Sequence, residues 1–110
     1  MREVPPKIYS YENERLIAIK KNCWDIFFLK NQTERLQLAA VEEDGLVIRG
    51  LKNPSEKVKL AAVRQNGYAI QYIKEPTEEM QLEAVRQSAG AINHIAKPNE
   101  KIWLEAVKQL

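Results

Sequence analysis

One histidine, His94, one cysteine, Cys23, and three serines, Ser10, Ser55 and Ser88, make up the chain's whole stock of imidazole, thiol and serine hydroxyl. A nucleophile needs a base beside it and a third group to orient that base, and so short an inventory assembles no such arrangement. A zinc site needs several Cys or His ligands, and these are missing, as is any glycine-rich phosphate loop. The residues therefore predict no catalytic, cofactor-binding or metal-binding site, and a protein that is not an enzyme. Cys23 reads as a partly buried structural thiol and His94 as a semi-exposed packing residue.

Charged residues at regular spacing are the next candidates. Glu12, Glu34, Glu56, Glu78 and Glu100 recur every 22 residues, as a metal ladder would. Each opens a helical pattern, however, where the positive end of the helix dipole favours a carboxylate, so a structural role is expected. Lys30, Lys52 and Lys74 form one basic row, and Lys20, Arg64, Arg86 and Lys108 a second, with Tyr68 and Tyr72 available to stack on bases. Ala96 interrupts the first row and Glu42 the second, and the net charge of successive blocks alternates in sign. A phosphate-binding groove keeps one sign along its length, so nucleic acid ranks behind protein as the expected partner.

The same 22-residue period organises the chain. Blocks starting at Glu12, Glu34, Glu56 and Glu78, with a half-block from Glu100, align without insertion. Leu16, Leu38, Leu60, Leu82 and Leu104 share one register, Ala18, Ala40, Ala62, Ala84 and Ala106 a second, and Ile19, Val41, Val63, Val85 and Val107 a third. Such a period marks a stacked repeat architecture. In each block a longer helix A follows a capping residue, Thr33, Ser55, Thr77 or Asn99, and runs to a stop at Cys23, Gly45, Gly67 or Ala89, the glycines suiting a left-handed position just past a helix end. A short helix B follows. Ile26 and Leu29, Ile48 and Leu51, Ile70 and Ile73, and Ile92 and Ile95 are each three apart, a spacing that puts both on one helical face and opposite faces of a strand. Pro54, Pro76 and Pro98 then keep the preceding residue out of the right-handed helical region.

One hairpin of this size cannot bury its own apolar stripes, whereas a row of them makes a continuous core. The expected fold is all-α: a small right-handed-type α-solenoid of four helical hairpins, residues 12–33, 34–55, 56–77 and 78–99, plus a closing C-terminal helix, residues 100–110. Residues 1–11 lie outside the repeat and are expected to cap the first hairpin. A chain of 110 residues fits one domain with a real apolar core. No apolar run approaches the length of a membrane span, the N-terminus lacks a signal-peptide core, and the lone cysteine agrees with a reducing compartment. A soluble, cytoplasmic protein is expected.

Repeat proteins keep their individuality at positions the core does not use. In helix B these are Trp24, Leu46, Tyr68 and Gly90, then Phe27, Arg49, Gln71 and Asn93, then Phe28, Gly50, Tyr72 and His94, each set forming a column along the stack. Trp24, Phe27 and Phe28 cannot all enter one narrow core, so at least one serves an exposed apolar surface or the N-terminal cap. Trp103 stands where the other copies have Arg15, Gln37, Lys59 and Gln81, and is expected either to cover the open end or to make a dimer or partner contact. The partner-binding candidates are thus Trp24, Phe27, Phe28, Arg49, Tyr68, Gln71, Tyr72, Asn93, His94 and Trp103.

The segment Asn53 to Lys74, NPSEKVKLAAVRQNGYAIQYIK, closely resembles the repeat of an uncharacterised tandem-repeat family of bacterial and bacteriophage proteins, NPSEEVQLAAVKQNGYALQYI. The resemblance extends over Glu12 to Leu110 and weakens at Cys23-Trp24 and Ala89-Gly90, where the Asn-Gly signal is lost. It implies a helical repeat fold and a phage or mobile-element setting, and it carries no reaction, cofactor or site residue. In that setting the expected function is a non-enzymatic protein-interaction module, with a phage-encoded inhibitor of a host defence or replication protein, and a weak nucleic-acid binder, as alternatives.

Overall fold

The computed structural model describes residues 11–109. The N-terminal cap expected at residues 1–11 therefore lies outside the described residues, except that Tyr11 opens the first helix. Among the described residues five α-helices alternate with four 3-10 helices: α1 Tyr11–Lys21, η1 Cys23–Phe28, α2 Glu34–Glu43, η2 Gly45–Gly50, α3 Glu56–Gln65, η3 Gly67–Tyr72, α4 Glu78–Gln87, η4 Ala89–His94 and α5 Glu100–Val107. The α-helices pack side by side as one layer and the 3-10 helices as a second, and each η helix touches both the α-helix before it and the one after. The fold is a small all-α helical repeat solenoid. No described helix is long and apolar enough to cross a membrane.

Helix B is thus a 3-10 helix, in which residues three apart eclipse. Ile26, Ile48 and Ile70, within the η helices, are all buried, and Leu51 and Ile73, three residues after Ile48 and Ile70, follow as extended cap residues whose amides donate to the Ile48 and Ile70 carbonyls. A further inner row, Val47, Ala69 and Ala91, is fully buried beside them. From the α layer come Leu36, Val58, Met80 and Ile102, together with Ala40, Ala62, Ala84 and Ala106 and the valines Val41, Val63 and Val85. Each fully buried Val, Leu, Ile or Met side chain contributes about 1.5–3 kcal/mol, and the alanines less. The two clusters these residues form share Leu51 at their border.

The leucine register behaves differently from the other two. Leu16, Leu38, Leu60 and Leu82 are only half-buried against the core, and Leu104 is 56% exposed, because their register faces the seam between neighbouring α-helices. Ala18 and Val107 fall in core registers yet are exposed, one on the first and one on the last of the described helices.

The helix junctions correct one expectation. No described glycine has a positive φ. Helix α3 ends at Asn66, in extended conformation (φ −151°, ψ 112°), which also caps η3 by accepting a hydrogen bond from Tyr68 N at 2.9 Å. Gly67 is the first residue of the next helix. Its role is proximity: a Cβ there would lie 2.2 Å from the carbonyl oxygen of Ala84, and one on Gly45 would lie 2.3 Å from that of Ala62. The left-handed residues are instead Asn53 (φ 47°) and Glu75 (φ 54°), immediately before Pro54 and Pro76. Proline there does exclude the right-handed region, and the chain escapes into the mirror-image one.

The repeating glutamates are tied to the next repeat as well as to their own helix dipole. Thr33 donates to Glu12 at 2.5 Å, Ser55 to Glu34 at 2.6 Å and Asn99 to Glu78 at 2.7 Å, while the same three side chains accept from Leu36 N, Val58 N and Ile102 N. Each cap is therefore also a link along the stack.

Gly67→Ala and Gly45→Ala should each lower stability by about 1–3 kcal/mol through overpacking against backbone, which for a chain near this size means a fall of several degrees in Tm per kcal/mol. Gly50→Ala should cost less, since the atoms it meets belong to the Phe27 ring, which can turn aside. Thermal melts of the three variants check this order.

Candidate functional site

The outer face of the 3-10 layer carries nine of the ten candidate residues. Because η helices are two turns long, side chains from one repeat reach the next. Trp24 and Phe27 meet edge to face with ring centroids 5.3 Å apart, and the Arg49 guanidinium lies 5.3 Å from the centre of the Trp24 ring. Phe27 also rests on Gly50, where a Cβ would meet the ring at 2.5 Å. The same device recurs two repeats on: Tyr68 lies across Gly90, its hydroxyl 2.4 Å from the place a Cβ would take, and its ring meets that of His94 edge to face at 5.9 Å. Of the three aromatics in the first block, Trp24 and Phe27 are half-buried by these contacts and Phe28 is 84% exposed. Tyr68 and Tyr72 stand partly in solvent, and Arg49, Gln71, Asn93 and His94 are exposed.

Two clefts open between consecutive η helices. The first, of about 390 Å³, lies between the ends of η2 and η3 and is walled by Arg49, Leu51, Pro54, Lys59, Tyr72 and Lys74. The second, also about 390 Å³, lies between η3 and η4 and is walled by Gln71, Ile73, Pro76, Gln81, His94 and Ala96. Each of these positions in the first cleft has its counterpart 22 residues later in the second. The structure thus gathers Arg49 and Tyr72 in one cleft and Gln71 and His94 in the other, candidates from the sequence, beside Lys74 of the first basic row and beside Lys59 and Gln81, which were not among the candidates. The signal for Lys59 and Gln81 was present, since both occupy the variable register that also holds Trp103.

Between η1 and η2 the corresponding space is filled. Gln32, which aligns with Pro54 and Pro76, donates from Nε2 to Ile26 O at 3.1 Å, while its Oε1 accepts from Lys52 N at 2.9 Å and from Gln37 Nε2 at 3.2 Å. Gln37, 3% exposed, is the buried polar residue of the described core, and it donates to Lys52 O as well.

Trp103 stands apart on α5. It is 52% exposed and, with Ala89, Gly90, Ile92, Ala106 and Val107, lines a shallow apolar groove of about 240 Å³ at the end of the stack. On the α layer the second basic row is largely engaged: Arg64 and Arg86 both pair with Glu83, and Arg86 and Lys108 with Glu105. Hydrogen bonds from Arg86 and then Lys108 hold the Glu105 carboxyl below the usual range. Burial, then the nearby Asp44 carboxylate, pushes the Cys23 thiol up, so it stays protonated and a poor nucleophile at neutral pH. Among the described residues no three His, Cys, Asp or Glu side chains are grouped to hold a metal ion.

No protein-family model, curated protein or solved structure matches the chain.

Gln32→Ala removes one donor and one doubly used acceptor from the filled space and should cost about 1–3 kcal/mol. Urea denaturation should show a lower midpoint with an unchanged slope. Gln71→Ala, whose side chain bonds only to Tyr68 O within its own turn, should stay within about 0.5 kcal/mol of the parent.

Proposed function

We propose that the protein is a non-enzymatic interaction module that binds a protein partner through the outer face of its 3-10 layer. The observation that carries this is Phe28, 84% exposed and aligned with the half-exposed Tyr72 in one column, alongside Tyr68. Large apolar side chains held in water on a rigid ridge cost solubility, and their usual return is a contact surface. Exposed Trp103, Leu104 and Val107 support a second contact at the α5 end, either with the partner or with a second copy of the chain. The ion pairs that neutralise the second basic row favour a protein over a nucleic acid.

The resemblance of the repeats to a bacterial and bacteriophage family supports a phage or mobile-element origin and action inside the bacterial cell. A binder without chemistry works there by occupying a host protein's functional surface.

Affinity capture from a nuclease-treated bacterial lysate, read by mass spectrometry, tests the proposal. The parent should retain a stoichiometric protein, and Phe28→Ala with Tyr72→Ala should lose it while the circular dichroism and Tm stay as they were. Retention by the double variant, or capture that vanishes with nuclease and falls steeply with salt, would overturn it.

A further inference from the structure

The filled space between η1 and η2 shows what the two open clefts accept. There a planar carboxamide on a two-carbon stem lies between two η helices, giving a hydrogen bond to the carbonyl of Ile26 and taking one from the amide of Lys52. The counterparts of that amide are those of Lys74 and Ala96, which make no hydrogen bond among the described residues. Pro54 and Pro76, in the place of Gln32, cannot supply the missing group. A proline ring has no polar atom to offer.

We infer that the two clefts are sockets for glutamate-like and glutamine-like side chains from an extended segment of the partner protein, and that Gln32 is a built-in counterpart of the glutamine-like one. The inference rests on the protein-binding reading above and specifies its ligand. Charge assigns the order. The first cleft is walled by Arg49, Lys59 and Lys74 with no acidic residue among its lining, so it takes a carboxylate, glutamate by length. The second contains Gln81 at the Lys59 position, and Glu75 and Lys97 beside it. Gln81 Nε2 is already engaged with Pro76 O, leaving its Oε1 as acceptor, while the Ala96 amide is a donor. A mixed donor and acceptor set of this kind matches a carboxamide, and Glu75 repels a second carboxylate.

Spacing fixes the conformation. Packed helices lie about 8–10 Å apart, so equivalent points in successive repeats do too. A polyproline II segment has three residues per turn and advances about 9 Å in that turn, which brings residues three apart onto one face at the required separation. A β-strand puts residues three apart on opposite faces, so it cannot fill both clefts with that spacing. Tyr72, which walls the first cleft, and His94, which walls the second, give the segment flat rings to lie against.

The test uses the full chain and fluorescein-labelled proline-rich peptides, followed by fluorescence anisotropy. A peptide containing Glu-Pro-Pro-Gln, in one or other chain direction, should bind about tenfold more tightly than versions with alanine at either end of the motif, or with two or four residues of separation. Pro54→Gln combined with Pro76→Gln should plug both clefts from within, as Gln32 does, and abolish peptide binding with a Tm no lower than the parent's. Equal binding by the plugged variant, indifference to spacing, or displacement of the peptide by a single-stranded oligonucleotide would overturn the inference. If no peptide binds while the parent still captures a protein dependent on Phe28 and Tyr72, the sockets are wrong and the interaction reading stands. If the parent captures none, both fail.

Discussion

Everything in this molecule depends on how closely one repeat is allowed to approach the next. An η helix of six residues has too few intrahelical hydrogen bonds to persist alone, and it exists because an α-helix packs on each side of it. That packing is possible because Gly45 and Gly67 have no side chain, which leaves to the carbonyl of Ala62 or Ala84 the volume a Cβ would need. The alanine rows serve the same end, since Ala40, Ala62 and Ala84 are fully buried and their small size lets the α layer descend onto the η layer. Close approach brings the valine and isoleucine rows into contact, and those rows supply the hydrophobic energy.

Nearest-neighbour dependence of this kind makes each local feature cooperative with the next repeat. A cap residue such as Ser55 starts its own helix and also holds the glutamate of the helix before it. Phe27 and Tyr68 cover glycines one repeat further on, so the aromatic face is assembled across repeat boundaries. The clefts arise from the same logic. They are the gaps left where consecutive η helices end and the linker turns back, and a single residue in the linker, Gln32 as against Pro54 or Pro76, decides whether a gap is closed from within.

How much of this could be read beforehand differs by feature. Capping at Thr33, Ser55, Thr77 and Asn99 was legible, because a short polar side chain before a charged first turn has one favourable use. The half-burial of the leucine row was not legible, since helical periodicity gives the width of an apolar arc and says little about which edge of it meets a neighbour. Gly67 was read as a left-handed stop for a comparable reason: its type fits both a positive φ and a crowded contact, and only the position of the Ala84 carbonyl separates the two. Of the helix B columns, Phe28, Arg49, Gln71, Tyr72, Asn93 and His94 are exposed whereas Trp24, Phe27 and Leu46 are half-buried against the core, and the clefts beside them went unseen, because their walls combine two η helices, a linker and an α-helix from successive repeats.

By itself the sequence determined the period, the helical class and the caps, all of which follow from rules acting over a few residues and repeated at fixed spacing. The tertiary structure alone decided that helix B is 3-10, that the glycines serve proximity, and that Gln32 fills what Pro54 and Pro76 leave open. Those outcomes depend on distances between repeats, set when all the layers settle together, and no local preference encodes them.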